Sequence, residues 1–357
     1  MDTSALPLDP AGIRAEVDRT IDSLLDTVRA QAADQAVLPL IEELRLFLAG
    51  GKRIRPVLCV LGWYAAGGTD TPRPVLSLAA ALELMHASLL IHDDLIDRSQ
   101  TRRGRPTTHV SLAERRRAQT PAEEADRYGA DAALLLGDLT MTWSDQLVRT
   151  AVHFTPRQLN DILPLLDRLR FEVLTGQYLD LAGSGRPDGD VEAALAITRL
   201  KTAHYTIERP LQLGTLLAQS DPALLTACTR FGIPLGEAFQ LRDDLLGVFG
   251  DPSSTGKPVL DDLREGKRTP LLAIAHGRAT PAQRAVLESL VGKADLDTDG
   301  AGEVVSVLER TGARATVEKM IAERHAAALQ ALDAAPFRPA AALALRRIAA
   351  QAVQRSA

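Results

Sequence analysis

Apolar side chains recur at three- and four-residue steps along nearly the whole chain, and strand-like alternation of β-branched residues is almost absent. That period puts the apolar positions on one face of an α-helix. It predicts helices over 13–30, 37–50, 55–66, 74–97, 129–153, 156–181, 190–218, 221–249, 267–278, 280–292, 302–311, 313–332 and 338–354. Breakers separate them: Gly-Gly at 67–68, GSGRPDGD at 183–190, GDPSSTGKP at 250–258 and DLDTDGAG at 295–302. The polar stretch ERRRAQTPAEEADRYG, 114–129, reads as a solvated loop or a helix start, and residues 1–10 as a flexible end. No strand, fixed-period repeat or interdomain linker is evident. The economical reading is one all-α domain over 11–357, a bundle in which the nearly all-apolar segment 74–92 is central.

The charges at the end of that segment change the picture. Residues 89–106 read LLIHDDLIDRSQTRRGRP. On a helix, Asp93 and Asp97 stack one turn apart, while Asp94 is turned about 100° away. Carboxylates so placed repel unless a cation lies between them, and the last helical turn already carries negative potential. Magnesium would suit them, completing its shell with water and substrate phosphate oxygens. Arg102 and Arg103 could clamp that phosphate from the other side. The competing reading is a surface pairing of Asp97 with Arg102. A second acidic pair, Asp243 and Asp244, lies in FQLRDDLLG at 239–247, followed by STGKP and DDLREGKRTP. Two acidic pairs, each followed by a basic glycine-containing loop, suggest facing metal sites around a shared diphosphate. There is no convincing Ser/His/Asp or Cys/His arrangement for nucleophilic catalysis.

Composition adds bounds. The chain has 357 residues, 46% hydrophobic and 24% charged, as globular proteins do. A net charge of −5 gives no reason to expect nucleic acid or an anionic membrane as partner. Cys59 and Cys228 sit in apolar runs and read as buried thiols suited to a reducing cytoplasm. The start, MDTSALPLDPAG, does not look like a signal peptide. No uninterrupted apolar run reaches the roughly 18 residues of a spanning helix. A soluble cytoplasmic protein is the expectation.

Five motifs then combine: GGKRIRP (50–56), ELMHASLLIHDDLIDRSQTRRGRPTTH (83–109), LTGQYLDL (174–181), KTAHYT (201–206) and FQLRDDLLG…GKP…DDLREGKRTP (239–270). In this order the chain resembles the trans-isoprenyl diphosphate synthases, the polyprenyl synthetase family, and within it the geranylgeranyl diphosphate synthases. The resemblance implies an all-helical bundle around a deep cavity, with two aspartate-rich helices holding three magnesium ions against an allylic diphosphate. It implies Asp93, Asp97 and Asp243 as metal ligands, with Asp94 and Asp244 supporting them. Arg102, Lys201 and Lys257 would hold the allylic diphosphate; Lys52, Arg55, His86 and Arg103 would hold that of isopentenyl diphosphate. Thr202 and Gln240 would face the allylic cation, and Gln177 with Asp180 matches the family's GQxxD. The implied reaction lengthens an allylic diphosphate by one isopentenyl unit, and the implied assembly is a homodimer.

Alone, GGKRIRP could be a basic helix start, His86 would more often be a satisfied core histidine, and Lys201 with Thr202 would be an ordinary helix face. Glu208, His204 and Arg115–Arg117 have no role in the motifs and are expected at the solvated surface. One departure stands out: Gly247 occupies a position where many members carry a third Asp. A class I terpene cyclase and a non-catalytic regulatory subunit of a prenyl synthase are the rival functions. The residues implied for a second diphosphate speak against the cyclase. The near-complete motifs speak against the silent subunit. Product length, by resemblance, depends on the positions four and five before the first motif. Ser88 and Leu89 leave that gate open, Met85 would be the floor, and C20 geranylgeranyl diphosphate is the expected main product, with C15 or C25 as the nearest alternatives.

Overall fold

The computed structural model describes residues 10–69, 73–150, 154–185, 188–250 and 260–353. Its helices are α1 (Pro10–Gln31), α2 (Leu38–Leu48), α3 (Ile54–Ala65), α4 (Arg73–Ile96), α5 (Thr108–Arg117), α6 (Ala122–Arg149), α7 (Pro156–Gly183) and α8 (Val191–Thr198). There follow a π-helical segment (Arg199–Glu208), α9 (Arg209–Ala218), α10 (Pro222–Phe249), α11 (Leu260–Glu265), α12 (Pro270–Arg278), α13 (Pro281–Leu290), α14 (Thr298–Arg310), α15 (Ala313–Asp333) and α16 (Pro339–Val353). Local chemistry sets several starts. Thr155 and Gln158 form a capping box ahead of α7, as Thr280 and Gln283 do ahead of α13, each followed by proline at the first turn. Asp221 caps α10 through the Ala223 amide.

The 24 residues of α4 span about 36 Å at 1.5 Å per residue. They pack against α1, α3, α6 and α9, so α4 is the central helix that its all-round apolar pattern predicts. An 18-residue window within it has a mean hydropathy of 1.7 and would, by length and composition alone, allow it to cross a membrane. Yet 72% of that window is buried inside the protein, so α4 passes that test as a core helix. One apolar cluster surrounds it, built from α1 to α4, α6, α7, α9, the first half of α10 and α16. A second joins the far half of α10 to α11 through α15. Because α10 belongs to both, its C-terminal half, with the second acidic pair, is fixed relative to α4. Cys59 and Cys228 are buried free thiols.

Several expectations need correction. Residues 114–129 are helical except for a four-residue connection. They form the end of α5 and the start of α6, with Arg115, Arg116 and Arg117 in the last turn of one and Glu123 and Glu124 in the first turn of the other. Those charges complement the helix dipoles, so the run is polar because of where it lies on two helices. A short antiparallel pair, Thr101–Arg102 (β1) with Arg105–Pro106 (β2), follows α4. Its turn residues Arg103 and Gly104 both have left-handed backbones, with φ of 53° and 72°, as two-residue hairpin turns demand. The predicted helix 190–218 is α-helical only at its ends.

Candidate active site

The site begins at the C-terminal end of α4. Asp93 and Asp97 are half-buried and Asp94 is 1% exposed. Gln177 Nε2 donates to Asp93 Oδ1 at 2.9 Å, and Lys201 Nζ lies 3.5 Å from the same oxygen. Burial alone would raise the Asp93 pKa; Lys201, Lys267 and Arg102, with the Gln177 hydrogen bond, hold it below the ordinary carboxylate range. Asp97 goes the other way, pushed up to about 6 by burial and by the charge of Asp93. Asp94 turns away and takes three close contacts from Arg102, at 2.7, 2.8 and 2.9 Å. Arg102 is thus anchored by Asp94, with its Nη2 3.6 Å from Asp93.

The π segment supplies the facing wall. Its i→i+5 hydrogen bonds widen the turn, and such segments often mark functional sites. Lys201 Nζ reaches Asp180 at 2.7 Å, and Thr202 Oγ1 donates to Gln240 Oε1 at 2.7 Å. Gln240 Nε2 in turn donates to Asp244 at 2.8 Å. Residues from α4, α7, the π segment and α10 are therefore linked by side-chain contacts. The glycine of LTGQYLDL explains how α7 comes so near: a methyl group at Gly176 would lie 2.7 Å from the Lys201 backbone nitrogen. Behind the segment, His204 and Glu208 belong to a buried network, contrary to the expectation of solvated surface. Glu208 is 2% exposed and contacts His204 Nδ1 at 2.5 Å and Thr229 Oγ1 at 2.6 Å, while Arg209 is bidentate on Glu172. Glu208 would not be affordable there without those partners.

On α10, Asp243 is half-buried and Asp244 almost fully buried. Burial, with Asp262 and Asp243 nearby, pushes Asp244 up to about 7. The departure at Gly247 has a structural reading. A methyl group there would lie 1.9 Å from Asp262 Oδ2, so the Asp262 carboxylate fills the space that a side chain at 247 would take. Lys267 Nζ stands 3.5 Å from Asp262, 2.6 Å from Glu265 and 4.0 Å from Asp97. It thus bridges the acids of α4 to those beyond α10. Burial would lower its pKa; Asp262, Glu265 and Asp97 raise it instead. Asp262, Glu265 and Lys267 lie in DDLREGKRTP, a stretch with a recognisable motif whose individual roles the spacing alone could not separate. Lys257 lies outside the described residues.

Two turns earlier along the same face of α4, cations gather. His86 donates to or accepts from Tyr205 Oη at 3.0 Å. Arg55 lies 4.1 Å above the Tyr205 ring and donates to Thr206 at 2.6 Å. His86 is held well below its usual pKa by burial and by Arg55, Arg103, Arg102 and Arg53, so it is neutral. Lys52 and Arg103 are exposed at the rim.

A cavity of about 400 Å³ is lined at its polar end by Asp93, Gln177, Lys201, Thr202, His86 and Arg55. Its apolar walls include Leu89, Leu95, Leu134, Val173 and Leu174. Of the three residues expected to control product length, Leu89 borders this cavity. Ser88 and Met85 do not: both are buried in the helix packing, 0% and 1% exposed. The reason is the turn of the helix, which carries position 88 round to the face that packs into the core.

Among the described residues no three potential metal ligands already converge. The acids present, with Asp97 and Asp244 shifted toward neutrality, are of the oxygen type that hard divalent cations such as magnesium take. The arrangement can hold a doubly anionic group against metal and lysine at the mouth of an apolar cavity.

Comparison with known proteins agrees with this geometry. A solved geranylgeranyl pyrophosphate synthase from Corynebacterium glutamicum, complexed with isoprenyl diphosphate and magnesium, superposes with a TM-score of 0.92 at 36% identity, covering 98% of this chain and 100% of that one. A geranylfarnesyl diphosphate synthase of Aeropyrum pernix is 34% identical over 256 residues, 71% of this chain and 74% of its own. A geranylgeranyl diphosphate synthase of Saccharolobus solfataricus is 30% identical over 275 residues, 73% of this chain and 74% of its own. The polyprenyl synthetase family model matches residues 40–308. The chain belongs to the polyprenyl synthetase family and is a prenyltransferase of the trans-prenyl diphosphate synthase kind.

Proposed function

We propose that this enzyme condenses isopentenyl diphosphate with an allylic diphosphate, and that its main product is C20 geranylgeranyl diphosphate. The observation that supports the site assignment is Lys267, whose Nζ lies 4.0 Å from Asp97 and 3.5 Å from Asp262, and whose charge also acts on Asp244 of the second motif. Asp93, Asp97 and Asp243 are the residues to hold magnesium, with Asp94 and Asp244 steadying their neighbours. Bound there, the metal would supply Lewis-acid stabilisation of the departing diphosphate. Lys201, with Arg102 and Lys257, orients that diphosphate and balances charge as the allylic C–O bond breaks and the electron pair leaves with oxygen. Thr202 and Gln240 present oxygens toward the resulting cation. The double bond of isopentenyl diphosphate, held by Lys52, Arg55, His86 and Arg103, then supplies the electron pair for the new C–C bond. Loss of a proton restores an allylic diphosphate five carbons longer. Neutral His86 adds no positive charge beside the cation.

The C20 reading is supported by Leu89, which borders the cavity and is not aromatic, and by relatives named for geranylgeranyl products; the geranylfarnesyl relative is named for a product one isopentenyl unit longer. The setting we propose is a reducing cytoplasm, in which Cys59 and Cys228 stay thiols, and the assembly a homodimer. The test is incubation with magnesium, labelled isopentenyl diphosphate and C5, C10 or C15 primers, followed by product sizing. A single dominant C20 product is expected. A dominant product of another length refutes the length reading, and failure to consume isopentenyl diphosphate refutes the catalytic one.

A further inference from the structure

The loop GGKRIRP enters α3 through Arg53, and Arg53 has no ordinary backbone. Its φ is 48° and its ψ 41°, left-handed for a residue with a side chain. Such a conformation costs free energy and persists only where its surroundings over-determine it. The surroundings here are specific. The Arg53 guanidinium is buried, and each nitrogen has a partner: Nε donates to Asp18 at 2.8 Å, Nη1 to Glu83 at 2.8 Å and Nη2 to the Leu48 carbonyl at 2.5 Å. Glu83 is equally buried; the two side chains are 5% and 6% exposed. Three of its five N–H donors are thus committed inside the protein, on a side chain only 5% exposed.

Position gives the pair its consequence. Arg53 lies between Lys52 and Arg55, and Glu83 lies three residues before His86 on α4, so the ion pair ties the basic loop to the helix face that carries His86. Arg103 belongs to the same cluster: burial, with Arg102 and Arg53 nearby, lowers its pKa, while Glu83 acts the other way. Like charges gathered at one face separate unless a frame holds them.

We propose that the buried Arg53–Glu83 ion pair is the positioning element of the isopentenyl diphosphate site, holding Lys52 and Arg55 in register with His86 and Arg103 without touching the ligand. This rests on reading the basic cluster as that site. Released from Glu83, the loop no longer presents its cations together, and binding of isopentenyl diphosphate weakens. The allylic diphosphate is held from the Asp93 and Lys201 side and keeps its affinity.

The experiment uses the full-length enzyme with magnesium and measures KM for each substrate, kcat and Tm in Arg53→Gly, Arg53→Lys, Glu83→Gln and Lys52→Ala. Glycine adopts the left-handed backbone freely, so Arg53→Gly removes the pair without adding strain. It should raise KM for isopentenyl diphosphate ~10-fold or more, as sub-ångström misplacement of binding groups does, and leave the allylic KM unchanged. Arg53→Lys should not rescue it, because one ammonium cannot serve three acceptors placed for a fork. Glu83→Gln keeps the shape, loses the charge and should shift the same KM by less; being isosteric, it decides the matter if Arg53→Gly fails to fold. If Lys52→Ala raises that KM while Glu83→Gln and any folded Arg53 variant lower only Tm, the pair is merely structural and the inference falls alone. If Lys52→Ala leaves KM unchanged, the site reading falls and the inference with it.

Discussion

Asp97 and Asp244 keep protons near neutral pH that ordinary carboxyls lose near pH 4. Their values, about 6 and about 7, come from burial first and then from the acids beside them. A cation entering the site requires the charged forms, so binding must release protons. At pH 6.5 Asp244 is mostly protonated and Asp97 partly so; at pH 8.5 neither is. Calorimetry of magnesium binding, run in buffers of different ionisation enthalpy, should show proton release at pH 6.5 and nearly none at pH 8.5. Apparent affinity should rise with pH across that interval. Pairing explains the contrast with Asp93, whose Lys201 and Gln177 contacts already favour its charged form. Replacing Asp93 or Asp243 by alanine should lower kcat by at least ~100-fold, because leaving-group stabilisation is lost. Turnover near wild type in either variant, or full activity in excess EDTA, would contradict the assignment. At this scale the stacking of Asp93 over Asp97 was legible from spacing, since four residues make about one helical turn, while their metal-ligand role came from the resemblance. Asp262 was not: its carboxylate reaches the space over Gly247 from fifteen positions along the chain, and no local period reports such a meeting.

Helices were legible wherever apolar residues kept their period, and the errors have physical causes. Residues 114–129 hid two helix ends because dipole-complementing charges at termini look like loop composition. The π segment hid inside 190–218 because no local apolar period distinguishes it; it lies where Gly176 of α7 closely approaches Lys201. The helical turn also separates Leu89 from Ser88. Leu89 borders the cavity, so Leu89→Phe should shorten the product toward C15 by filling it. Ser88 is fully buried, with its hydroxyl unpaired. Phenylalanine at 88 must therefore displace core packing or turn into the cavity. Product sizing and Tm separate the two: a C15 shift at unchanged Tm means the ring enters the cavity, and a falling Tm with unchanged product means that the tail does not meet position 88.

For the whole molecule, the apolar surface is concentrated on α6 and α7. Phe171 and Tyr178 are 73% and 68% exposed, and Tyr128, Leu134, Leu135, Leu174 and Leu181 are exposed beside them in the same two helices. Surfaces of this kind mark association, and a second copy offers the same apolar face in a closed pair. Sedimentation at micromolar concentration should give about twice the chain mass of 38.4 kDa. Replacing Phe171 and Tyr178 together by serine should shift the species toward the monomer; a wild-type monomer with full activity would refute the pairing. The single-domain organisation was readable from the absence of a linker. The sharing of α10 between two apolar clusters was not, because both of its halves carry the same apolar period.

The hydropathy of α4 bears on how the chain reaches this state at all. During synthesis α4 is complete at residue 96, while its covering helices α6 and α9 end at 149 and 218. The interval from 96 to 218 is 122 residues, which takes roughly 6–24 s at typical elongation rates of 5–20 residues per second. Throughout it, a segment with a mean hydropathy of 1.7 lacks its final cover. A lower growth temperature, which weakens apolar association, or a holding chaperone should raise the yield of soluble enzyme. A fragment ending at residue 100 should partition into aggregates or lipid, where the full chain does not. The helix that organises the finished bundle is thus the segment most at risk while the bundle is being made.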